Sequence, residues 1–380
     1  MVSTLKQEQT SGKFFFFFFF FFFFFFFFFF FCVARFDVPR VLTLTRFSFL
    51  FFFLFLFLTS RWDKHQLIVD PSGRVGLQFE HSFSDGLSWN RWLGEIWHAM
   101  DYMETPKKWK YGHLSNAADP SVKSMTKQLE WKIDDMTRKT MEHADNVLQT
   151  TLCNNVDTVA STFNGFGKNQ IKQMGYSPDA FVQMSYQLAY ARLHDGQPAA
   201  TYEACSTAAH FHGRTETIRS CSMEARKFVQ SFLKVDGGGG GGGGGGVAGE
   251  EQKMLLGLAA KQQSTLSREA ASGMGVDRHL MSLKHLADKN GNESMRAIFE
   301  DPLYGRSSTW KLSTSNVAAP WLAQFGFGPT AENGFGLGYQ ILDDSVPIHV
   351  TSWKSSTETV SSQKMFDGIC EAMDSMKKLH

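Results

Sequence analysis

A chain of 380 residues is long enough for one large domain or two ordinary ones, with ample length to bury a core. Its 38 Lys and Arg against 37 Asp and Glu leave a net charge of +1, too even a balance for a protein that grips nucleic acid by neutralising phosphates. The five cysteines, Cys32, Cys153, Cys205, Cys221 and Cys370, are widely spaced and form no CxxC pair, which argues against a disulfide framework and against a zinc site and fits a reducing compartment.

The first sixty residues differ in character from the rest. Phe14 to Phe31 is an unbroken homopolymer, and Phe47 to Leu58 is a Phe/Leu tract. Phe14 to Ala34 is long enough to span a bilayer, which takes roughly 20 apolar residues. Membrane helices, however, mix Leu, Ile, Val, Ala and Gly, whereas a T-rich nucleotide tract read as coding yields Phe with Leu. Residues 1–60 are therefore set aside as a low-complexity segment. Met1 to Lys13 is not Arg-rich and does not resemble a transit peptide. Gly237 to Gly246 reads as a flexible tether with a span of about 18 Å.

From Arg61 the pattern alternates strand-like and helix-like runs. His65 to Asp70 and Val75 to His81 are short β-rich segments joined by Pro71-Ser72-Gly73, a hairpin signal. Helical spacing follows from Leu87 to Met103, and again over Val122, Met125, Leu129, Ile133 and Met136. Ser177-Pro178-Asp179 combines a capping residue, a Pro at the first helical position and a first-turn acid, and so predicts a helix over Ala180 to Leu193. Further helices are expected over Glu250 to Ser272, Asp277 to Lys289 and Ser361 to Leu379. Strands are expected at Leu312 to Ser315, at the glycine-laden Gly334 to Gly338 and at Ile348 to Trp353. The sum is an α/β fold around one mixed sheet.

Three stretches carry chemistry-bearing residues. His81 leaves a strand with Asp85 four residues on and Gly86 after it, an arrangement that can hold a neutral imidazole as a general base. Taken alone, one of twelve histidines is weak evidence. Tyr202-Glu203-Ala204-Cys205 followed by Gly213-Arg214-Thr215-Glu216-Thr217 reads by itself as a solvated turn. Lys311-Leu312-Ser313-Thr314-Ser315-Asn316 reads as a Ser/Thr-rich strand.

Five motifs in this order resemble the choline/carnitine acyltransferase family: His81 to Gly86, Gly167-Lys168 and Lys172 before Ser177-Pro178-Asp179-Ala180, Thr201-Tyr202-Glu203 with Gly213 to Thr217, Asp277-Arg278-His279-Leu280, and Ser313-Thr314-Ser315. The resemblance covers Arg61 to His380 and is strongest to the family's mitochondrial long-chain members. It implies a coenzyme A-dependent acyltransferase fold, a mixed sheet flanked by helices, with most of the first of two similar domains missing. The corresponding organisation is residues 1–60 non-homologous, 61–150 a remnant of the first domain, and 151–380 the second domain interrupted by the glycine run.

Residue by residue, the resemblance makes His81 the base on the carnitine 3-hydroxyl, Asp85 its supporting acid with Arg214 as the charge partner, and Ser315 the oxyanion donor. Lys168, Lys172, Asp179 and Glu203 fall on coenzyme A contacts. Tyr202, Thr215 and Arg278 fall on the carnitine carboxylate, and Phe327 falls near the trimethylammonium. Phe325 occupies the place where long-chain members carry Gly to open an acyl channel, which points toward a short- or medium-chain enzyme. Ala204 stands where some members have a carnitine-binding Ser. The resemblance further implies acyl-CoA and L-carnitine as partners, no bound cofactor, no metal, no nucleic acid, and a matrix-side, peripheral place on the mitochondrial inner membrane. Family members have far more chain before the His, so the contrasting expectation is a fragment or membrane-tethered remnant that binds coenzyme A weakly or not at all.

Overall fold

The computed structural model describes residues 30–34, 65–69, 74–79, 81, 84–102, 131–237, 247–291, 293–357 and 360–380. Two sheets organise these residues where the sequence pattern predicts one. The first is antiparallel, in the order β2-β3-β1-β8, formed by β1 (Phe30–Ala34), β2 (His65–Val69), β3 (Val75–Phe79) and β8 (Leu322–Gly326). β2 and β3 pair antiparallel as expected, and the predicted turn at Pro71 to Gly73 lies outside the described residues. The end of the phenylalanine tract, set aside on composition, supplies β1 and pairs with both β3 and β8.

The second sheet is mixed and runs β4-β10-β9-β7-β5-β6. Its strands are β4 (Val156–Phe163), β5 (Thr201–Ser206), β6 (Thr215–Ile218), β7 (Leu312–Asn316), β9 (Phe335–Tyr339) and β10 (Val346–Trp353). The β5/β7 and β7/β9 pairs are parallel and the other three antiparallel. The stretches containing Tyr202 and Thr215, which read as a solvated turn, are instead a largely buried antiparallel pair.

The helices in chain order are α1 (Gly86–Tyr102), α2 (Asp135–Val147), α3 (Lys168–Gln173), α4 (Pro178–Leu193), α5 (Met223–Gly237), α6 (Val247–Ala271), α7 (Asp277–Asn290), α8 (Glu293–Glu300), α9 (Pro302–Ser308) and α10 (Ser362–Lys377). The helix expected through Ile133 does not include it. Residues 131–134 are irregular, Asp134 accepts the Thr137 amide, and α2 starts after that cap. The earlier part of that expectation, Val122 to Leu129, lies outside the described residues. A π-helical turn, Leu148–Cys153, extends α2.

Alternation along the strands sorts the second sheet into two faces. Leu312, Phe335, Leu337, Tyr339, Ile348 and Val350 point to α4, α5 and α10, and with Phe181, Phe228, Met365 and Ile369 form the main core. The opposite face carries Tyr202, Ala204, Thr215, Thr217, Ser313, Ser315, Gly336, Gly338, His349 and Thr351, all small, polar or aromatic. Over part of that face lies β8. A Cβ on Gly338 would stand 2.5 Å from the Phe325 carbonyl oxygen, and one on Gly326 would stand 1.1 Å from Nδ1 of His349. Only glycine at both positions lets the two sheets meet so closely. The part of the face left beyond β8 is where the candidate site lies.

Candidate functional site

His81 and Asp85 lie between β3 and α1. Phe79 is buried and its ring stacks on Trp89 of α1, whose indole donates to the Ser84 hydroxyl. Nδ1 of His81 lies 3.7 Å from Oδ1 of Asp85. The same carboxylate accepts two bonds from Arg214, from Nε at 3.0 Å and from Nη2 at 2.7 Å. The Arg214 hydrogen bond holds the Asp85 carboxyl below its ordinary range, against the opposing effect of burial. An ionised Asp85 beside Nδ1 favours the tautomer with its proton there and the lone pair on Nε2.

A second cluster is built on β5, β6 and the first turn of α7. Arg278 donates through Nε to the Thr215 carbonyl at 3.1 Å, and through Nη2 to the Thr215 hydroxyl at 2.8 Å and the Tyr202 hydroxyl at 3.3 Å. Its Nη1 makes no hydrogen bond among the described residues, and its guanidinium pairs with no carboxylate there. An arginine fixed by neutral oxygens, with one amino group unused, is a ready partner for an anion. Asp85 feels the positive charge of Arg278, which ties the two clusters electrostatically.

Ser315 lies on β7, the strand next to β5, two residues from Ser313 and opposite Gly338 of β9. Ser313 pairs in register with Tyr202. Both serines are buried, and among the described residues the Ser313 hydroxyl and the Thr217 hydroxyl have no hydrogen-bond partner. Ser313 and Thr217 both stand inside the family motifs, but the resemblance gives neither a role of its own. Their signal is the period of two that places them on the same face as Ser315 and Thr215.

Lys168 and Lys172 sit one turn apart on α3. Lys168 is paired with Asp343 at 2.7 Å, and Lys172 adds to the positive field that Asp343 feels. Asp179 and Glu203 lie on the other, helical side of the sheet. Glu203 is buried at 4% exposure and accepts from Gln263 and Ser220, while Asp179 accepts from Tyr339 at 2.7 Å and Asn316 at 3.1 Å. Burial, reinforced by the negative charge and hydrogen bond of Asp179, pushes the Glu203 carboxyl far above the usual range. Glu203 thus meets protein groups beneath the sheet, whereas the lysines are at the surface.

Phe325 and Phe327 are each 2% exposed and pack into the second apolar cluster with Leu77, Phe79, Leu93, Ala319 and Leu322. The hydrogen-bonded group of Tyr202, Thr215 and Arg278 forms without either ring. Among the described residues no cluster of His, Cys, Asp and Glu could hold a metal ion, and no helix is long and apolar enough to cross a membrane.

The family model for choline/carnitine O-acyltransferases matches residues 55–370. Carnitine O-palmitoyltransferase 2, mitochondrial, from Xenopus tropicalis is 31% identical over 298 residues, covering 78% of this chain and 43% of that protein. Its Homo sapiens counterpart is 34% identical over 301 residues with the same coverage. Carnitine O-palmitoyltransferase 1, muscle isoform, from Sus scrofa is 32% identical over 336 residues, covering 83% of this chain and 40% of that protein. The chain spans less than half the length of these relatives.

Proposed function

Since the chain belongs to the choline/carnitine O-acyltransferase family, we propose that it moves a fatty acyl group between coenzyme A and L-carnitine, with palmitoyl transfer as the lead reaction. The observation that carries this reading is Arg278, held by Tyr202 and Thr215 with an unused amino group, in the electrostatic reach of the His81, Asp85 and Arg214 constellation.

In the proposed reaction, Nε2 of His81 takes the proton of the carnitine 3-hydroxyl as that oxygen attacks the thioester carbonyl. Asp85 keeps the Nδ1 proton in place and stabilises the imidazolium. The carbonyl becomes a tetrahedral oxyanion that accepts from the Ser315 hydroxyl, a contact worth about 3 kcal/mol by comparison with single-donor losses in other enzymes. As the C–S bond breaks, the imidazolium returns its proton to the sulfur, giving acylcarnitine and free coenzyme A. No acyl-enzyme is required.

Binding roles follow from charge. The carnitine carboxylate pairs with Arg278, Tyr202 and Thr215. Lys168 and Lys172 serve the phosphates of coenzyme A, which requires Lys168 to exchange Asp343 for the ligand. Asp179 and Glu203 act beneath the sheet on the coenzyme A side. Phe327 is assigned to the trimethylammonium end through its π face, and Phe325 to acyl length. Residues 61–150 supply the base and 151–380 the remaining groups. The long-chain relatives that carry mitochondrial names support a mitochondrial site, and we assign the protein to the matrix side of the inner membrane as a peripheral protein.

The test is carnitine-dependent release of coenzyme A thiol from acetyl-, octanoyl- and palmitoyl-CoA. Release that requires carnitine and is greatest with palmitoyl-CoA supports the reading, whereas binding of coenzyme A without turnover favours the fragment reading.

A further inference from the structure

Arg278 is the second residue of α7, so its guanidinium is only as well placed as the first turn of that helix. The N-cap residue, Val276, offers no side-chain acceptor. The turn is tied down from β6 instead. Glu216 accepts the Arg278 backbone amide at 3.3 Å, and Asp277 receives a fork from Arg219, Nε at 2.9 Å and Nη2 at 2.6 Å. Asp277 retains 11% of its side-chain exposure and Arg219 30%, so this pair is better shielded than an ordinary surface contact.

Arg219 does more than pair with Asp277. Its Nη1 donates to the Ser307 carbonyl at 2.8 Å at the end of α9, and its guanidinium carbon lies 4.8 Å from the centre of the Trp310 ring. The edge of Trp310 in turn meets the Tyr202 ring at 5.6 Å. One side chain therefore touches the backing of two members of the Tyr202, Thr215 and Arg278 group: the helix start that carries Arg278, and the indole whose edge meets Tyr202.

We propose that Arg219 and Trp310 are positioning residues for the carboxylate clamp, fixing Arg278 through Asp277 and Tyr202 through the indole edge. The proposal rests on the carnitine acyltransferase reading and deepens it. Consecutive Cα atoms are about 3.8 Å apart, so a shift of Asp277 is passed to Arg278 almost undiminished, and a site of this kind loses function when its groups move by roughly 0.5 Å. Lysine cannot replace Arg219, because an ammonium has neither the planar fork nor the face that stacks on indole.

The experiment compares wild type, Arg219→Lys, Trp310→Leu and Trp310→Phe in the full chain, with KM for carnitine, KM for acyl-CoA, kcat and Tm measured together. Loosening one charge-assisted contact predicts a carnitine KM raised roughly tenfold or more in Arg219→Lys and Trp310→Leu, with kcat and the acyl-CoA KM within about twofold of wild type. Trp310→Phe keeps a ring against Tyr202 and should recover much of the loss. A merely structural role would lower Tm and the active fraction, so that kcat falls while both KM values stay put, and that result overturns the proposal, as does an unchanged carnitine KM. If wild type shows no carnitine-dependent turnover, the parent reading fails, and calorimetry with L-carnitine decides the positioning claim. Weaker binding by Arg219→Lys than by wild type then supports it, and equal binding, or none by either, overturns it.

Discussion

Asp85 accepts both arms of the Arg214 fork and at the same time lies 3.7 Å from Nδ1 of His81. One carboxylate thus joins a residue at the start of α1 to one at the start of β6, far apart in sequence. The geometry makes Asp85 a fixed charge that orients an imidazole. Asp85→Asn keeps the shape and removes the charge. It should reduce kcat by about 10² or more, as expected when a general base loses its orienting anion, with the coenzyme A affinity unaltered. Steady-state kinetics with separate titration of each substrate reads this directly.

The same pair has a pH signature. Asp85 is lowered in the folded protein, chiefly by Arg214, so its contribution to stability is complete above the ordinary carboxylate range and fades as pH falls through the lower folded value. The Tm of wild type minus that of Arg214→Met should be positive near neutrality and shrink at pH values below about 4. A difference that grows with acidity would contradict the pairing.

His349 predicts a second acid-sensitive window. It is fully buried, bonded through Nε2 to the Thr158 hydroxyl at 2.7 Å, and burial lowers its pKa to about 4. The folded state therefore binds fewer protons than the unfolded chain, where His titrates near about 6.5, and stability is lost as pH falls from there toward the folded value. His349→Gln should flatten the slope of Tm against pH in that interval. A slope equal to that of wild type would remove His349 from the account.

Carnitine recognition is tested at Arg278. Arg278→Ala removes the cation held by Tyr202 and Thr215 and should raise the carnitine KM by roughly ten- to a hundredfold, while leaving any turnover of choline, which has no carboxylate, nearly as it was. Equal loss for both alcohols would place Arg278 in a general structural role.

Much of this was legible in the sequence. The helix start at Ser177 and Pro178, the antiparallel pairing of β2 with β3, the glycine-laden strand and the strand of Leu312 to Asn316 all appear where local rules put them, because each is specified by neighbours in the chain. The failures are of another kind. Tyr202 and Thr215 read as turn residues because charge and hydroxyl content mimics solvent exposure. Only pairing with β7, more than a hundred residues away, shows that these residues form buried strands. Arg219 and Trp310 receive no role from the resemblance, and their importance comes from what the fold brings against Asp277 and Tyr202. β1 is missed for another reason: only Phe30 and Phe31 of it belong to the homopolymer, but Cys32, Val33 and Ala34 are too short a remainder to be read as a strand once residues 1–60 are set aside on composition.

Phe325 separates two accounts of acyl length. Its ring packs with Leu77, Phe79 and Phe327, so Phe325→Ala should cost about 3 to 5 kcal/mol through the cavity it leaves. If the ring also closes an acyl path, the variant should gain on palmitoyl-CoA relative to acetyl-CoA. Denaturant unfolding and the ratio of kcat/KM for the two thioesters distinguish a core residue from a gate.

The central claim, that His81 is the base, is tested most directly by the rate of carnitine-dependent thiol release in His81→Ala, with coenzyme A affinity measured on the same preparation. The account predicts a kcat lower by about 10² to 10⁴, the range for loss of a general base, and coenzyme A binding equal to that of wild type. Near-normal turnover in His81→Ala would contradict it.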